Sequence, residues 1–214
     1  MTLRIKICGL TQPEDIRAAC DLGADAIGLN FHPESPRYLD PRQAGGLIRV
    51  ASPLVSLIGV WVHQPLRQVT AIAYQLGLRG VQWYGGALDL SDPFPFSMIA
   101  GFRVKEAEQL RQIEHYLEQC QQTGWKPGAV LIDALVEGQM GGTGQKAPWE
   151  LLANWKPGVP VILAGGLTPE NVAEAIRLVR PAGVDVASGV ESSPGKKDHG
   201  KMKAFIENAR IAAS

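Results

Sequence analysis

The stretch "VPVILAGGLTPENVAEAIRLVRPAGVDVASG" occupies residues 159–189 and joins two short apolar runs through a segment with helical spacing. The runs are "VPVILAG" and "VDVAS", both rich in branched residues and both ending at Gly or just before one. Between them, apolar residues recur at intervals of three and four after Thr168 and Pro169, an expected N-cap and first turn. This pattern predicts a strand, a helix and a second strand that pairs in parallel with the first.

The same alternation runs through the rest of the chain. Clear helical segments lie at 11–23, where Thr11 is the expected N-cap, at 65–77 and at 106–124, and each ends in Gly. Residues 85–96 have little helical pattern, which predicts a short or irregular fourth helix. The further candidate strands are residues 4–8, 26–31, 54–62, 80–84, 97–104 and 129–133.

Eight strand–helix units favour a closed barrel over an open doubly wound sheet, which would need five or six. We therefore predict the α/β class and a single (β/α)₈ TIM-barrel domain over residues 1–214. The loops must be short, because this length is at the lower end for such a barrel.

The composition argues against several classes of function. Twenty-one basic and 21 acidic residues give no net charge, which disfavours a nucleic-acid or membrane-binding surface. Three cysteines at unrelated spacings and four isolated histidines form no disulfide framework and no metal-ligand pattern. The longest apolar run, residues 54–62, is about half of what a membrane-spanning helix needs. We expect a cytoplasmic protein, and a monomer because nothing indicates an exposed apolar interface.

Polar residues at the carboxyl ends of the strands are the first candidates for chemistry in a barrel of this kind. Side chains alternate along a strand, so Asp133 points inward if Val130 and Ile132 pack against the helices. The same alternation places Lys6 on one face with Cys8, below it in the barrel interior. A buried ammonium needs a partner, which predicts an inward Asp from another strand.

Two late strand ends carry glycines suited to binding phosphate. Gly165 and Gly166 follow the seventh predicted strand, and Ser188 and Gly189 follow the eighth. Glycines let the backbone approach an anion closely, and barrels commonly bind phosphate in these two loops. Each glycine pair alone is more typical of a simple turn, but both together in these loops favour a phosphate site.

Two further loops allow alternative interpretations. Arg37 follows the second strand in a proline-stiffened loop, from which it could bind a carboxylate with two donors or simply face solvent. The segment "EGQMGGTGQKAPWE" (137–150) follows the sixth strand and could be a mobile lid or an ordinary surface loop.

In combination and in order, the motifs resemble those of the phosphoribosylanthranilate isomerase family of tryptophan biosynthesis. They are "KICG" (6–9), "SPRY" (35–38), "LIDA" (131–134) with "GGTG" (141–144), "LAGGLTPENV" (163–172) and "GVDVASGVESSPGKKD" (183–198). The resemblance implies a (β/α)₈ barrel that uses neither cofactor nor metal. It implies an Amadori rearrangement of N-(5-phosphoribosyl)anthranilate, a small phosphosugar, to 1-(2-carboxyphenylamino)-1-deoxyribulose 5-phosphate.

The resemblance also implies roles for individual residues. Cys8 would be the general base, Asp133 the general acid, and Arg37 would bind the anthranilate carboxylate. These roles require a raised pKa for Asp133 and a lowered one for Cys8, with Lys6 assisting. The other implied site residues are Gly142 and Gly144 in a covering loop, Gly165, Gly166, Ser188 and Gly189 at the phosphate, and Asp185 in the wall.

One position departs from the family pattern. Members usually carry Gln-Leu-His-Gly at the fourth strand, where this chain has Gln82, Trp83, Tyr84 and Gly85. A phenol can donate a hydrogen bond but cannot become cationic. Two alternatives stay open at this point: another phosphosugar isomerase or synthase barrel, and a non-catalytic barrel that only binds a phosphorylated ligand.

Overall fold

Eight parallel strands close into a barrel in a computed structural model that describes residues 2–85, 94–134 and 149–214. Each strand pairs with its neighbours in chain order, and the last pairs with the first. The predicted barrel is thus confirmed. The strands are β1 (Arg4–Cys8), β2 (Ala26–Asn30), β3 (Ser56–Val62), β4 (Gly80–Tyr84), β5 (Ser97–Arg103), β6 (Ala129–Asp133), β7 (Val161–Ala164) and β8 (Gly183–Val186).

Helices connect the strands on the outside of the barrel. They are α1 (Pro13–Asp21), α2 (Pro41–Ile48), α3 (Leu66–Gln75), α4 (Ala107–Gln122), α5 (Trp149–Leu152), α6 (Val172–Val179) and α7 (His199–Ala212). After β8 the chain forms a 3₁₀ turn (Ser188–Val190) and a small antiparallel hairpin of β9 (Glu191–Ser193) and β10 (Lys196–Lys197). Among the residues described, no helix combines the length and the apolar character needed to span a bilayer.

Both predicted threonine N-caps are wrong. Helix α1 begins after Gln12, because the Thr11 hydroxyl instead donates to the Gly195 carbonyl, 2.6 Å away in the hairpin after β8. Helix α6 begins only at Val172, since Thr168 donates its N–H to the Asn171 side chain in a preceding turn. Tertiary and local side-chain hydrogen bonds have displaced both helix starts.

Two predicted segments fall outside the described residues. Most of the stretch expected to hold an irregular fourth helix (86–93) is one of them. The other, 135–148, includes almost all of the glycine-rich segment and therefore Gly142 and Gly144.

The strand register explains how charged side chains enter the barrel. Val130 and Ile132 are fully buried in the main hydrophobic core, as predicted for the face toward the helices. The alternate face of β6 therefore carries Asp133 into the barrel. On the other side of the barrel, Lys6 of β1 is the direct register partner of Asp185 of β8. Parallel pairing thus brings two residues 179 positions apart onto one level.

Candidate active site

A cavity of about 650 Å³ opens at the carboxyl ends of the strands. It brings together all of the predicted site residues that lie within the described parts of the chain. Those residues are Cys8, Arg37, Asp133, Gly165, Gly166, Asp185, Ser188 and Gly189. Gly142 and Gly144 lie outside the described residues. Eight of the ten predicted site residues therefore line one cavity at the strand ends, and their roles stay predictions.

An ion pair lies in the barrel interior beside Cys8. Lys6 Nζ is 2.8 Å from Asp185 Oδ1, and both side chains are almost fully buried. Burial lowers the pKa of Lys6, but the Asp185 and Cys8 charges outweigh it and raise that pKa above its ordinary value. Lys6 therefore remains an ammonium, with the inward aspartate that the sequence predicted as its partner.

The thiol of Cys8 is less acidic than the sequence analysis expected. Burial raises its pKa, and the nearby Asp185 carboxylate raises it further. Lys6 acts in the expected direction and lowers the pKa, but it does not outweigh burial. The geometry therefore favours the thiol form of Cys8 at neutral pH.

Gly28 of β2 makes room for these groups, a role that the sequence analysis missed. A Cβ atom at Gly28 would lie 2.7 Å from Cys8 Sγ and 3.0 Å from Lys6 Nζ. Any side chain there would displace one of them. A glycine inside a branched strand, as in "AIGLN", is the signal that could have revealed this close approach.

Tyr84 enters the cavity from the end of β4. Its hydroxyl accepts a hydrogen bond from Gln82 Nε2 at 3.1 Å. Its ring lies over Gly101, where a Cβ atom would be 2.5 Å from Tyr84 Cε1. Burial, with the charges of Asp185, Asp133 and Cys8, raises the pKa of Tyr84 well above 10. The phenol is therefore neutral and can donate its proton to a neighbour.

The two predicted phosphate loops lie directly against each other. A Cβ atom at Gly189 would lie only 1.9 Å from the Leu167 carbonyl oxygen, so only glycine allows this approach. Gly165 and Gly166 both have positive φ angles, 87° and 64°, which carry the backbone around the rim. The result is a wall of main-chain atoms at one end of the cavity.

Arg37 does not face solvent at the rim. It forms a two-point contact with Glu191, with Nε–Oε1 at 2.7 Å and Nη2–Oε2 at 2.6 Å. Lys197 Nζ also donates to Glu191 Oε1, at 2.9 Å. The sequence analysis gave no role to Glu191 or Lys197, although both lie in the motif at 183–198, because the local sequence does not show which side chains they contact.

Comparisons with known proteins identify the family of this chain. Residues 5–208 match the family model described as N-(5′-phosphoribosyl)anthranilate (PRA) isomerase. The chain belongs to this family. A curated relative named N-(5′-phosphoribosyl)anthranilate isomerase, from Geobacter sulfurreducens, is 41% identical over 209 residues, covering 97% of this chain and 98% of the relative.

Solved structures of the family agree with this fold. Phosphoribosyl anthranilate isomerase from Thermotoga maritima superposes with a TM-score of 0.83 at 33% identity, covering 98% of this chain and 100% of that one. A second structure is of this isomerase in complex with reduced 1-(o-carboxyphenylamino)-1-deoxyribulose 5-phosphate. It has a TM-score of 0.80 at 32% identity, covering 98% of this chain and 100% of that one.

Proposed function

We propose that this protein catalyses the Amadori rearrangement of N-(5′-phosphoribosyl)anthranilate, with Cys8 as general base and Asp133 as general acid. The observation that carries the proposal is that both side chains line one cavity with the two glycine loops. An acid and a base near an anion-binding wall suit an isomerisation of a phosphorylated sugar, in which protons move and no atoms are gained or lost. Family membership supports the same reaction.

The first proton transfer opens the sugar ring. Asp133, in its protonated form, donates to the furanose ring oxygen while the lone pair of the anilino nitrogen forms a C=N bond. The ring C–O bond breaks, and its electron pair remains on the oxygen that receives the proton. The product of this step is a protonated Schiff base whose positive charge acidifies the hydrogen at C2.

The second transfer completes the rearrangement. The Cys8 thiolate removes the C2 proton, and the electrons of the C–H bond move toward the iminium nitrogen to give an enolamine. Tautomerisation of the enolamine produces the ketone. Because burial raises the pKa of Cys8, only a fraction of the enzyme carries the active thiolate at neutral pH.

The substrate's two anionic groups have separate binding regions in this proposal. The phosphate lies at the main-chain wall formed by Gly165, Gly166, Ser188 and Gly189, all of which line the cavity. The anthranilate carboxylate lies near Arg37, whose guanidinium can form paired hydrogen bonds. Asp185, paired with Lys6, also lines the cavity.

The direct test is a fluorescence assay with freshly prepared phosphoribosylanthranilate. We expect the protein to remove the anthranilate fluorescence catalytically at micromolar substrate. A double variant, Cys8→Ser with Asp133→Asn, should bind the substrate without consuming it. Failure of the wild-type protein to consume it would contradict the proposed reaction and favour a barrel that only binds ligand.

We also propose that the chain acts as one monomeric domain in the cytoplasm. Among the residues that the structure describes, the exposed large apolar side chains lie on different loops and helices, and all three cysteines are free. Light scattering on the purified protein should give a mass near 23.0 kDa. A mass near twice that value would contradict the proposed monomer.

A further inference from the structure

The Arg37 guanidinium is held from one side only. Glu191 binds the edge formed by Nε and Nη2, which uses two of the five N–H donors of the group. Within the parts of the chain that the structure describes, Nη1 makes no hydrogen bond to the protein, so the end of the group, both N–H of Nη1 with the second N–H of Nη2, is unpaired. Arg37 lines the cavity, so this end is available to a ligand there.

Glu191 is itself fixed by a buried cation. Its side chain is 4% exposed and that of Lys197 is fully buried. Lys197 Nζ also donates to the Ala187 carbonyl at 3.0 Å, which ties the hairpin to the end of β8. Although burial raises the pKa of Glu191, its contacts with Arg37 and Lys197 outweigh this and lower it. Glu191 is therefore a carboxylate, with one oxygen shared by both cations.

The hairpin that carries Glu191 is anchored to the start of the barrel. The Lys197 backbone N–H donates to the buried Asp15 side chain of α1 at 2.9 Å, and the Gly195 carbonyl accepts from Thr11. The stem of Arg37 passes over the same region, because a Cβ atom at Gly9 would lie 2.4 Å from Arg37 Cδ. Arg37 is thus restrained along its stem by the β1–α1 loop and at its head by Glu191.

We propose that Glu191 is a positioning residue for recognition of the substrate carboxylate. It binds the side edge of Arg37 and thereby presents the end edge, with two parallel N–H donors, to the anthranilate carboxylate. Lys197 supplies the second positive charge, so that Arg37 keeps a net attraction for a second anion. This inference rests on the proposed function of Arg37 and adds the residue that orients it.

The opposite hypothesis is that Glu191 competes with the substrate for Arg37. The two hypotheses predict opposite signs for removal of the Glu191 charge. If Glu191 positions Arg37, the freed side chain must be ordered by the substrate, which weakens binding. If Glu191 competes, its removal strengthens binding.

The experiment measures KM and kcat of Glu191→Gln for two substrates. One is phosphoribosylanthranilate, and the other is the corresponding aniline derivative, which lacks the carboxylate. We expect KM for the first to rise about tenfold, with a much smaller change in kcat, and KM for the second to stay within about twofold. Glu207→Gln, the same change at an exposed position of α7, is the matched control and should alter neither value.

Glu191→Asp keeps the proposal testable if the glutamine variant folds poorly. It retains the charge that Lys197 needs, but its shorter side chain cannot keep both bonds to Arg37. We expect a smaller rise in KM, again confined to the carboxylated substrate. A fall in KM in either variant, or an equal rise for both substrates, would overturn the inference.

Arg37→Ala separates this inference from the proposed function. It should abolish the preference for the carboxylated substrate. If that preference survives, the assignment of Arg37 is wrong. If it is lost in Arg37→Ala but intact in both Glu191 variants, only the positioning role of Glu191 is wrong.

Discussion

The two ends of the cavity are built from different parts of the chain. At the reacting end, the groups are side chains: Cys8 and Asp133 reach inward from strand ends, and Lys6 lies beside Cys8. At the phosphate end, the wall is main chain, formed where Gly189 approaches Leu167. This difference means that a substitution can remove function at the reacting end by replacing one side-chain atom. At the phosphate end, a substitution acts by adding a Cβ atom that displaces the main chain.

The largest effect is expected at the reacting end. Cys8→Ser and Asp133→Asn should each lower kcat by about 10²–10⁴-fold, the usual contribution of a general base or acid. KM should change far less, because neither group contacts the phosphate in our account. Steady-state fluorescence kinetics measures both parameters, and near-normal kcat in either variant would remove that residue from the mechanism.

Lys6→Met should be the most destabilising change at the same end. Breaking a buried ion pair leaves Asp185 uncompensated, which costs about 3–5 kcal/mol of unfolding free energy. Urea unfolding measures this loss. The double variant Lys6→Met with Asp185→Leu should recover most of it, and a double variant as unstable as the single one would contradict the pairing argument.

Gly189→Ala should weaken phosphate binding. The added Cβ atom meets the Leu167 carbonyl and must push the two loops apart, at a cost of about 1–3 kcal/mol. The displaced main-chain groups should lose about one hydrogen bond to the charged phosphate, about 1.5–3 kcal/mol, so calorimetry with inorganic phosphate or product should show binding weakened by roughly ten- to 150-fold. Gly45→Ala is the control: it lies in α2 with its nearest neighbour at 3.9 Å and should slightly stabilise the protein.

The pH dependence should reflect the raised pKa of Cys8. The thiolate is the form that reacts with alkylating reagents, so the rate of inactivation by iodoacetamide should rise with pH, about tenfold per unit below the pKa of Cys8. Because burial raises the pKa, this rise should continue beyond about pH 8.5, the ordinary value for a thiol. A plateau already at pH 7 would show that the thiolate is better stabilised than this geometry allows.

Tyr84→Phe should have the smallest effect. It removes one neutral hydrogen-bond donor and leaves the ring over Gly101, so we expect a loss of about 1 kcal/mol, or roughly fivefold in kcat/KM. The variant should also leave Gln82 Nε2 without its acceptor. An effect as large as that of Cys8→Ser would make Tyr84 a participant in proton transfer.

Much of this arrangement could be predicted from the sequence, because it depends on short-range periodicity. Alternation along β6 was enough to point Asp133 inward, and alternation along β1 placed Lys6 beside Cys8. The expected aspartate partner of Lys6 is Asp185, which the closure of the barrel brings beside it although no local sequence signal links the two residues. Alternation along regular strands, together with parallel register between them, therefore predicts which side chains face the barrel interior.

The rest depended on contacts that the local sequence does not encode. Thr11 looks like an N-cap, but its hydroxyl binds Gly195, far along the chain. The carboxylate partner of Arg37 lies 154 positions later, in a hairpin whose local sequence does not indicate this contact. The expected lowering of the Cys8 pKa was wrong, because burial raises this pKa and depends on the packed cavity rather than on the residues next to Cys8 in the sequence.

The most direct test of the central claim compares Cys8→Ser with Gly189→Ala in single-turnover fluorescence experiments over a range of enzyme concentrations. Our account predicts that Cys8→Ser lowers the maximal rate and leaves the half-saturating concentration nearly unchanged. It predicts the reverse for Gly189→Ala, a higher half-saturating concentration with a nearly normal maximal rate. If both variants change the same parameter, the division between a side-chain reacting end and a main-chain binding end is contradicted.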